Sequence, residues 1–306
     1  MRHQSSILNI LTIAVSLGFI AAALFLPGSS GNLALWAVLA SVFLIGIPHG
    51  AIDHVMAAEL YGLNQSWVEH LKFYASYLLI MLAVGLLWFL APVAGMALFL
   101  VISIYHFGQA DMEEFSAERS GRMAWYLARG CMIIGLIIFS DPAATYPIMA
   151  EAMSVDLEQF SALMPDPQLA VAGIIGAYLL IVAAGVFAGK FDNPLQLAGD
   201  SILLILVLMI TGPLIGFALY FALWHSAGHI NEMRDFFKSR GKNLTVPGFY
   251  KKALPFTAVS IAGLGFLAGI NHAFGLDEQF LSLMFILISV LTLPHMVIVD
   301  RMYKEG

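Results

Sequence analysis

Apolar runs of the length that crosses a bilayer, each with at most one charged residue, recur from one end of this chain to the other. A helical crossing needs about 20 mostly apolar residues. Such runs stand near Ile7–Leu26, Leu33–Ala58, Leu71–Ala91, Val93–Gln109, Met123–Phe139, Leu169–Gly189, Leu195–Ile210, Pro213–Ile230, Ala253–His272 and Phe280–Val299. Of the 306 residues, 60% are hydrophobic and 11% charged, where a soluble domain carries about 25% charged residues. A chain with so little charge cannot cover a water-facing surface. The expected fold is all-α, a polytopic transmembrane helix bundle forming a single integral membrane domain over residues 1–306. The opening Met1–Ser6 and the run after it read as a first span rather than a removed signal. The single cysteine, Cys131, excludes a disulfide framework and a CxxC metal site. A net charge of −6 without a basic patch excludes nucleic acid as a partner.

Loop charge fixes the sidedness. Asn231–Lys252 carries Arg234, Lys238, Arg240, Lys242, Lys251 and Lys252, which places it in the cytoplasm by the positive-inside rule. Asp141–Asp166 has five carboxylates and no Lys or Arg, as an outer loop would. Arg119, Arg122 and Lys190 mark two more inner loops. Returning from Lys190 to the basic loop on the same side takes an even number of crossings, so Leu195–Ile230 is expected to be two spans. Thr211-Gly212-Pro213 is the place to turn, because Pro breaks helix hydrogen bonding and Gly permits reversal. The count is then about ten spans, with eight or nine as alternatives, and both termini are cytoplasmic. GxxxG spacings at Gly46/Gly50, Gly185/Gly189, Gly212/Gly216 and Gly265/Gly269 allow close helix packing.

Ionisable groups inside spans mark function by default, and the histidines share a depth. His49, His54, His106, His225, His229 and His295 all fall within about 15 Å of the cytoplasmic boundary at a rise of about 1.5 Å per residue. His225 and His229 are four apart and share a helix face, a spacing that suits two imidazoles on one metal and equally two interfacial histidines facing water. His49 and Asp53 are also four apart, so Asp53 can accept the second ring N–H of a ligand histidine. His54 points about 140° away from His49 around the helix. His106 is deep enough to need a partner, either a metal or a backbone carbonyl. His295 follows Pro294, whose kink frees a carbonyl for it. His3, His70 and His272 lie at ends or interfaces. No span carries the Glu-x-x-His pairs of a carboxylate di-iron bundle. An all-imidazole donor set suits Fe, Zn, Cu or Ni and not Mg or Ca.

The motifs around these histidines resemble a known family. Gly46-Ile-Pro-His49-Gly-Ala-Ile-Asp53 resembles the PHGALD signature of the Brp/Blh family of β-carotene 15,15′-dioxygenases. Tyr105-His106-Phe107-Gly108 falls where that family has its second histidine motif. Trp224-His225-Ser226-Ala227-Gly228-His229 resembles its HSxRH motif, and Leu293-Pro294-His295-Met296 its C-terminal PHM segment. One position departs from the pattern: the basic residue before the last histidine of the third motif is Gly228 here.

The resemblance implies an enzyme that cleaves β-carotene with O2 at its central double bond, giving two molecules of retinal. It implies Fe(II) held by His49, His106, His225 and His229, with Asp53 and His295 beside them. It also implies a site within the lipid bilayer, in the plasma (inner) membrane, and hand-over of retinal to a rhodopsin-type protein. Phe107, Phe217, Phe221 and Trp224 are candidates to line a polyene tunnel, and helix-core or lipid-facing packing is the better account of any single one. A related carotenoid oxygenase acting on another substrate or bond is one alternative. A histidine-based membrane metal or proton transporter is the other non-trivial reading. A di-iron hydroxylase fits less well, since only one close HxxxH pair is present.

Overall fold

The computed structural model describes residues 6–26, 30–63, 66–113, 115, 121–273 and 280–305. Arg2, His3, Arg119 and the side chain of His272 lie outside the described part. Among the described residues there are helices and no strands. The first are α1 (Ser6–Phe25), α2 (Ser30–Ala40), α3 (Ile47–Ala51), α4 (Asp53–Leu60) and α5 (Trp67–Leu90). Next come α6 (Pro92–Met112), α7 (Arg122–Phe139), α8 (Pro142–Ala152), α9 (Leu157–Leu163) and α10 (Pro167–Phe187). The remainder are α11 (Pro194–Ile210), α12 (Pro213–Leu219), α13 (Ala227–Ser239), α14 (Val246–Ala273) and α15 (Phe280–Glu305).

Five of these helices, α6, α8, α10, α11 and α12, begin at a proline. Proline's fixed φ suits the first turn, where its missing N–H is no loss. Asp166 caps α10 by accepting the Leu169 N–H at 2.9 Å. Gly121 (φ 85°) and Gly212 (φ 79°) supply left-handed backbone ahead of α7 and α12, a conformation that costs glycine nothing. The apolar stretch Leu195–Ile230 is therefore broken at Thr211-Gly212-Pro213, where the sequence places the turn.

Among the described residues, seven helical stretches are long and apolar enough to cross a membrane: Ile7–Phe25, Leu33–Leu60, Trp67–Leu90, Pro92–Met112, Arg122–Phe139, Pro167–Phe187 and Phe280–Glu305. Pro194–Ile210 is apolar but shorter. Leu78, Leu79, Leu82, Leu86, Phe89 and Leu90 on α5 are all exposed, which suits a surface bathed in lipid. The acidic segment 141–166 contains the two short helices α8 and α9. The protein is an all-α, polytopic helix bundle.

The helices form two compact units, each drawn from three stretches of chain. The first comprises residues up to Val42, Ser103–Pro147 and Glu158–Asn231. In it α7 packs on α10, α12 on α2, and α1 on α11. Among the described glycines the tightest approach is made by two single ones, while Gly216 and Gly185 of two GxxxG pairs also pack closely, a Cβ there lying 3.2 Å from Leu208 Cα and 2.6 Å from the Phe191 ring. A Cβ on Gly108 of α6 would lie 1.8 Å from the Tyr126 carbonyl oxygen, and one on Gly130 of α7 would lie 1.8 Å from that of Ile104. By contrast Gly265 and Gly269 meet nothing within 4 Å. The second unit comprises Phe43–Ile102, Ile148–Leu157 and Glu232 onward. There α14 packs on α3, and α15 on α3, α4 and α5. Trp88 Nε1 donates to Ser289 Oγ at 2.9 Å. Lys242 pairs with Glu59, and Arg240 bonds Glu305 at 3.0 Å. The end of α4, the basic loop and the end of α15 thus share one side of this unit.

Two helical stretches contain a wider, π-helical turn, at Ser41–Gly46 and Tyr220–Ser226. Such turns cluster at functional sites. The first runs directly into the Pro48-His49 motif, and the second contains His225.

Candidate metal centre

In the first unit His106 sits on α6, His225 in the π-helical turn 220–226, and His229 in α13. They are 1%, 2% and 2% exposed, so none of them is a water-facing residue at a helix end. The ring centres of His106 and His225 are 4.8 Å apart with their planes at 80°. Two imidazoles sharing one ion through metal–nitrogen bonds of about 2.0–2.1 Å have ring centres about 4.5–5.2 Å apart, for bond angles from square to tetrahedral. The pair fits that requirement. Phe107 approaches the His225 ring at 4.7 Å. Phe221 stacks on it at 5.6 Å and 15°, and Phe217 stacks on Phe221 at 5.2 Å and 14°. One side of His225 is thereby walled by hydrocarbon.

The second unit holds another pair. The rings of His49 and His295 are 4.9 Å apart at 90°, which meets the same criterion. The His49 Nδ1–H donates to the Gly46 carbonyl in a short contact. The His295 Nδ1–H donates to Asp53, at 2.9 and 3.0 Å to its two oxygens, and Tyr77 donates its hydroxyl to Asp53 Oδ2 at 2.9 Å. In both rings Nδ1 is engaged by an oxygen. That fixes the tautomer that leaves Nε2 as the basic nitrogen, the usual arrangement around a metal-binding histidine.

Asp53 therefore serves His295 and not His49. The helix breaks at Ile52, between α3 and α4, so the four-residue spacing from His49 to Asp53 does not put them on one continuous face. His54 turns elsewhere: its Nδ1 bonds the Ala51 carbonyl at 3.1 Å and its ring rests against Phe256. Asp53→Ala should lower the melting temperature in detergent, because it leaves buried polar groups unmatched at about 1–3 kcal/mol. Asp53→Asn keeps one acceptor oxygen for His295, its amide N–H can donate to the Tyr77 hydroxyl, and it should recover part of that loss. Equal melting of the two variants would mean the pairing contributes nothing to stability.

Among the described residues, no three His, Cys, Asp or Glu side chains are gathered closely enough to form a metal site as they stand. Two buried imidazole pairs are present, one in each unit. Their all-nitrogen character suits iron, zinc, copper or nickel.

The motif reading passed over the most heavily bonded polar residue of the first unit. Arg129 lies in α7 and is fully buried. Its Nε bonds Asp111 Oδ2 at 2.9 Å, and its Nη2 bonds Asp200 Oδ2 at 2.5 Å. Its Nη1 reaches Tyr178 and Ser201 at 3.2 Å each. Tyr220 donates to Asp111 Oδ1 at 3.2 Å, and Trp224 donates to Asp200 Oδ1 at 2.7 Å. Trp224 is thus bound through its indole N–H to a carboxylate. The signal was there to read: an arginine within the apolar run Met123–Phe139 has to be paired or solvated.

Fold and site together define an all-α membrane protein whose interior holds paired imidazoles, one of which, His295, is oriented by a carboxylate. The profile of the beta-carotene 15,15′-dioxygenase family matches residues 40–303. The chain belongs to that family. It is 26% identical over 276 residues to the beta-carotene 15,15′-dioxygenase of uncultured marine bacterium 66A03, covering 88% of this chain and 94% of that one. It is 27% identical over 297 residues to the probable beta-carotene 15,15′-dioxygenase Blh of Halobacterium salinarum, covering 87% and 83%. The probable dioxygenase Brp of the same species is 27% identical over 219 residues, 63% of this chain and 58% of its own. No solved structure matches the chain.

Proposed function

We propose that this protein cleaves the central 15,15′ double bond of β-carotene with O2 and forms two molecules of retinal. The observation that carries the reading is the His106–His225 pair, one ring on α6 and the other in a π-helical turn, both buried in an apolar interior and within the span matched by the family. The equation balances without a further reductant: one C=C is broken, and the two oxygen atoms of O2 end in the two aldehydes. Fe(II) is the metal proposed, with His49, His106, His225 and His229 as its ligands by motif. When bound, the metal supplies O2 chemistry that no side chain of this protein can perform.

The chain's own part is positional. Engaged Nδ1 atoms hold His49 and His295 in one tautomer. Phe107 and Phe221 keep water from a face of His225. β-Carotene is wholly apolar and dissolves in the bilayer, so an apolar interior reached from lipid is the environment in which it can be bound. We read the chain as crossing the plasma membrane about ten times with both termini in the cytoplasm, from the loop charges and from the shared side of Glu59, Lys242 and Glu305. Retinal is then released toward lipid or passed to a retinal-binding membrane protein of rhodopsin type.

The test is expression in bacteria that accumulate β-carotene, with iron supplied, followed by chromatography of both pigments. Carotene should fall, with two retinals appearing for each carotene lost. Undiminished carotene with the protein folded in the membrane would overturn the proposal.

A further inference from the structure

The bonds of Arg129 lead to the two elements that carry His106 and His225. Asp111 stands five residues after His106 on α6. Tyr220 and Trp224 stand five residues and one residue before His225, within the same π-helical turn. Each aspartate spends one oxygen on Arg129 and the other on that turn: Asp111 on the Tyr220 hydroxyl, Asp200 on the Trp224 indole N–H. The guanidinium is itself held in plane by Tyr178 of α10 and Ser201 of α11, and the Tyr178 and Ser201 hydroxyls bond each other at 2.7 Å. Helices α6, α7, α10 and α11 are thus tied to one short turn through a single side chain. A π-helical turn is uncommon and has poor intrinsic stability, so its register depends on what grips it. Arginine suits the task because its planar fork binds two carboxylates in fixed directions, which a point charge cannot do.

We propose that Arg129 is a positioning residue for the metal centre: through Asp111 and Asp200 it holds Tyr220 and Trp224, and so sets the direction in which His225 faces His106. This rests on the metal-binding reading above. Phenylalanine at 220 keeps the ring and removes only the O–H, and phenylalanine at 224 removes the indole N–H together with part of the buried indole, while the Arg129–carboxylate pairs are kept in both.

The experiment uses the full-length chain purified in detergent with Co(II) as the probe, read by its visible absorption and by titration. Outer partners of metal ligands typically govern affinity by about 10- to 100-fold. Tyr220→Phe and Trp224→Phe should each weaken cobalt binding about 10-fold and shift the cobalt spectrum, and the double variant should weaken it about 100-fold. Melting should fall modestly, since each change leaves one carboxylate oxygen without its donor, and the cobalt spectrum is the deciding readout. Arg129→Lys keeps the charge, loses the fork, and should show the same spectral shift. A purely structural role would lower the melting temperature and leave the cobalt spectrum unchanged, which would overturn the proposal. Should the double variant fail to fold, the two single variants decide. Wild-type protein that takes up no cobalt would overturn the metal-centre reading itself, and the positioning role with it.

Discussion

Alanine at His106 or at His225 leaves β-carotene uncleaved in cells and leaves the purified protein without its metal. Each substitution removes one of two imidazoles whose ring centres lie 4.8 Å apart, so the remaining ring faces a gap instead of a second donor. The effect should exceed the 10- to 100-fold typical of outer partners, and retinal should fall below detection. His49→Ala and His229→Ala should behave alike, while His272→Ala should retain activity. Metal analysis of the purified variants, with melting curves to show that they fold, separates ligand loss from collapse. Retinal formation by a folded His106→Ala protein would remove that residue from the centre. His295→Ala is the informative extra case. Its ring stands to His49 as His225 stands to His106, and loss of bound metal from that variant would enlarge the proposed ligand set beyond the four motif histidines.

Gly108→Ala and Gly130→Ala should each cost the protein its fold. The added methyl carbon would sit 1.8 Å from a backbone oxygen of the facing helix. Backbone cannot rotate aside as a side chain can, so α6 and α7 would have to part. Overpacking a core usually costs about 1–3 kcal/mol, and a clash with rigid main chain belongs at or above the upper end. Gly108 is two residues beyond His106, so any displacement is also felt at the imidazole. Membrane-inserted protein should drop sharply for both variants, as seen by fluorescence-detected gel filtration. Gly173→Ala on α10, where nothing lies within 4 Å, is the control. It should leave yield unchanged or raise it slightly, since alanine favours helix over glycine by about 0.5–1 kcal/mol. Normal yield of Gly108→Ala would show that the two helices are not held so close.

Much of the architecture follows from hydropathy, because in lipid the backbone must bond within its own helix and the apolar runs then have one outcome. The turn at Thr211-Gly212-Pro213 was legible for the same kind of reason. What the residues alone did not disclose depends on helix register. The break at Ile52 and the two π-helical turns shift every side chain after them, so the spacing of His49 and Asp53 pointed to the wrong histidine partner. Close packing was sought in GxxxG spacings, and the tightest approach is made by Gly108 and Gly130, 22 positions apart in sequence. Arg129 was open to view as a lone cation in an apolar run, but its partners Asp111, Tyr178, Asp200 and Ser201 come from three other helices, and no local pattern connects them.

The three-stretch composition of the second unit has a consequence for biosynthesis. Helix α3, with His49, and helix α4, with Asp53, leave the ribosome early, yet the helices they pack on, α14 and α15, are the last to be made. Asp53 waits for His295 through the translation of nearly the whole chain. Contacts so distant in sequence form late, so this half of the histidine assembly is completed only after synthesis of α15. A nascent chain halted before Phe280 would hold every other motif and still lack it.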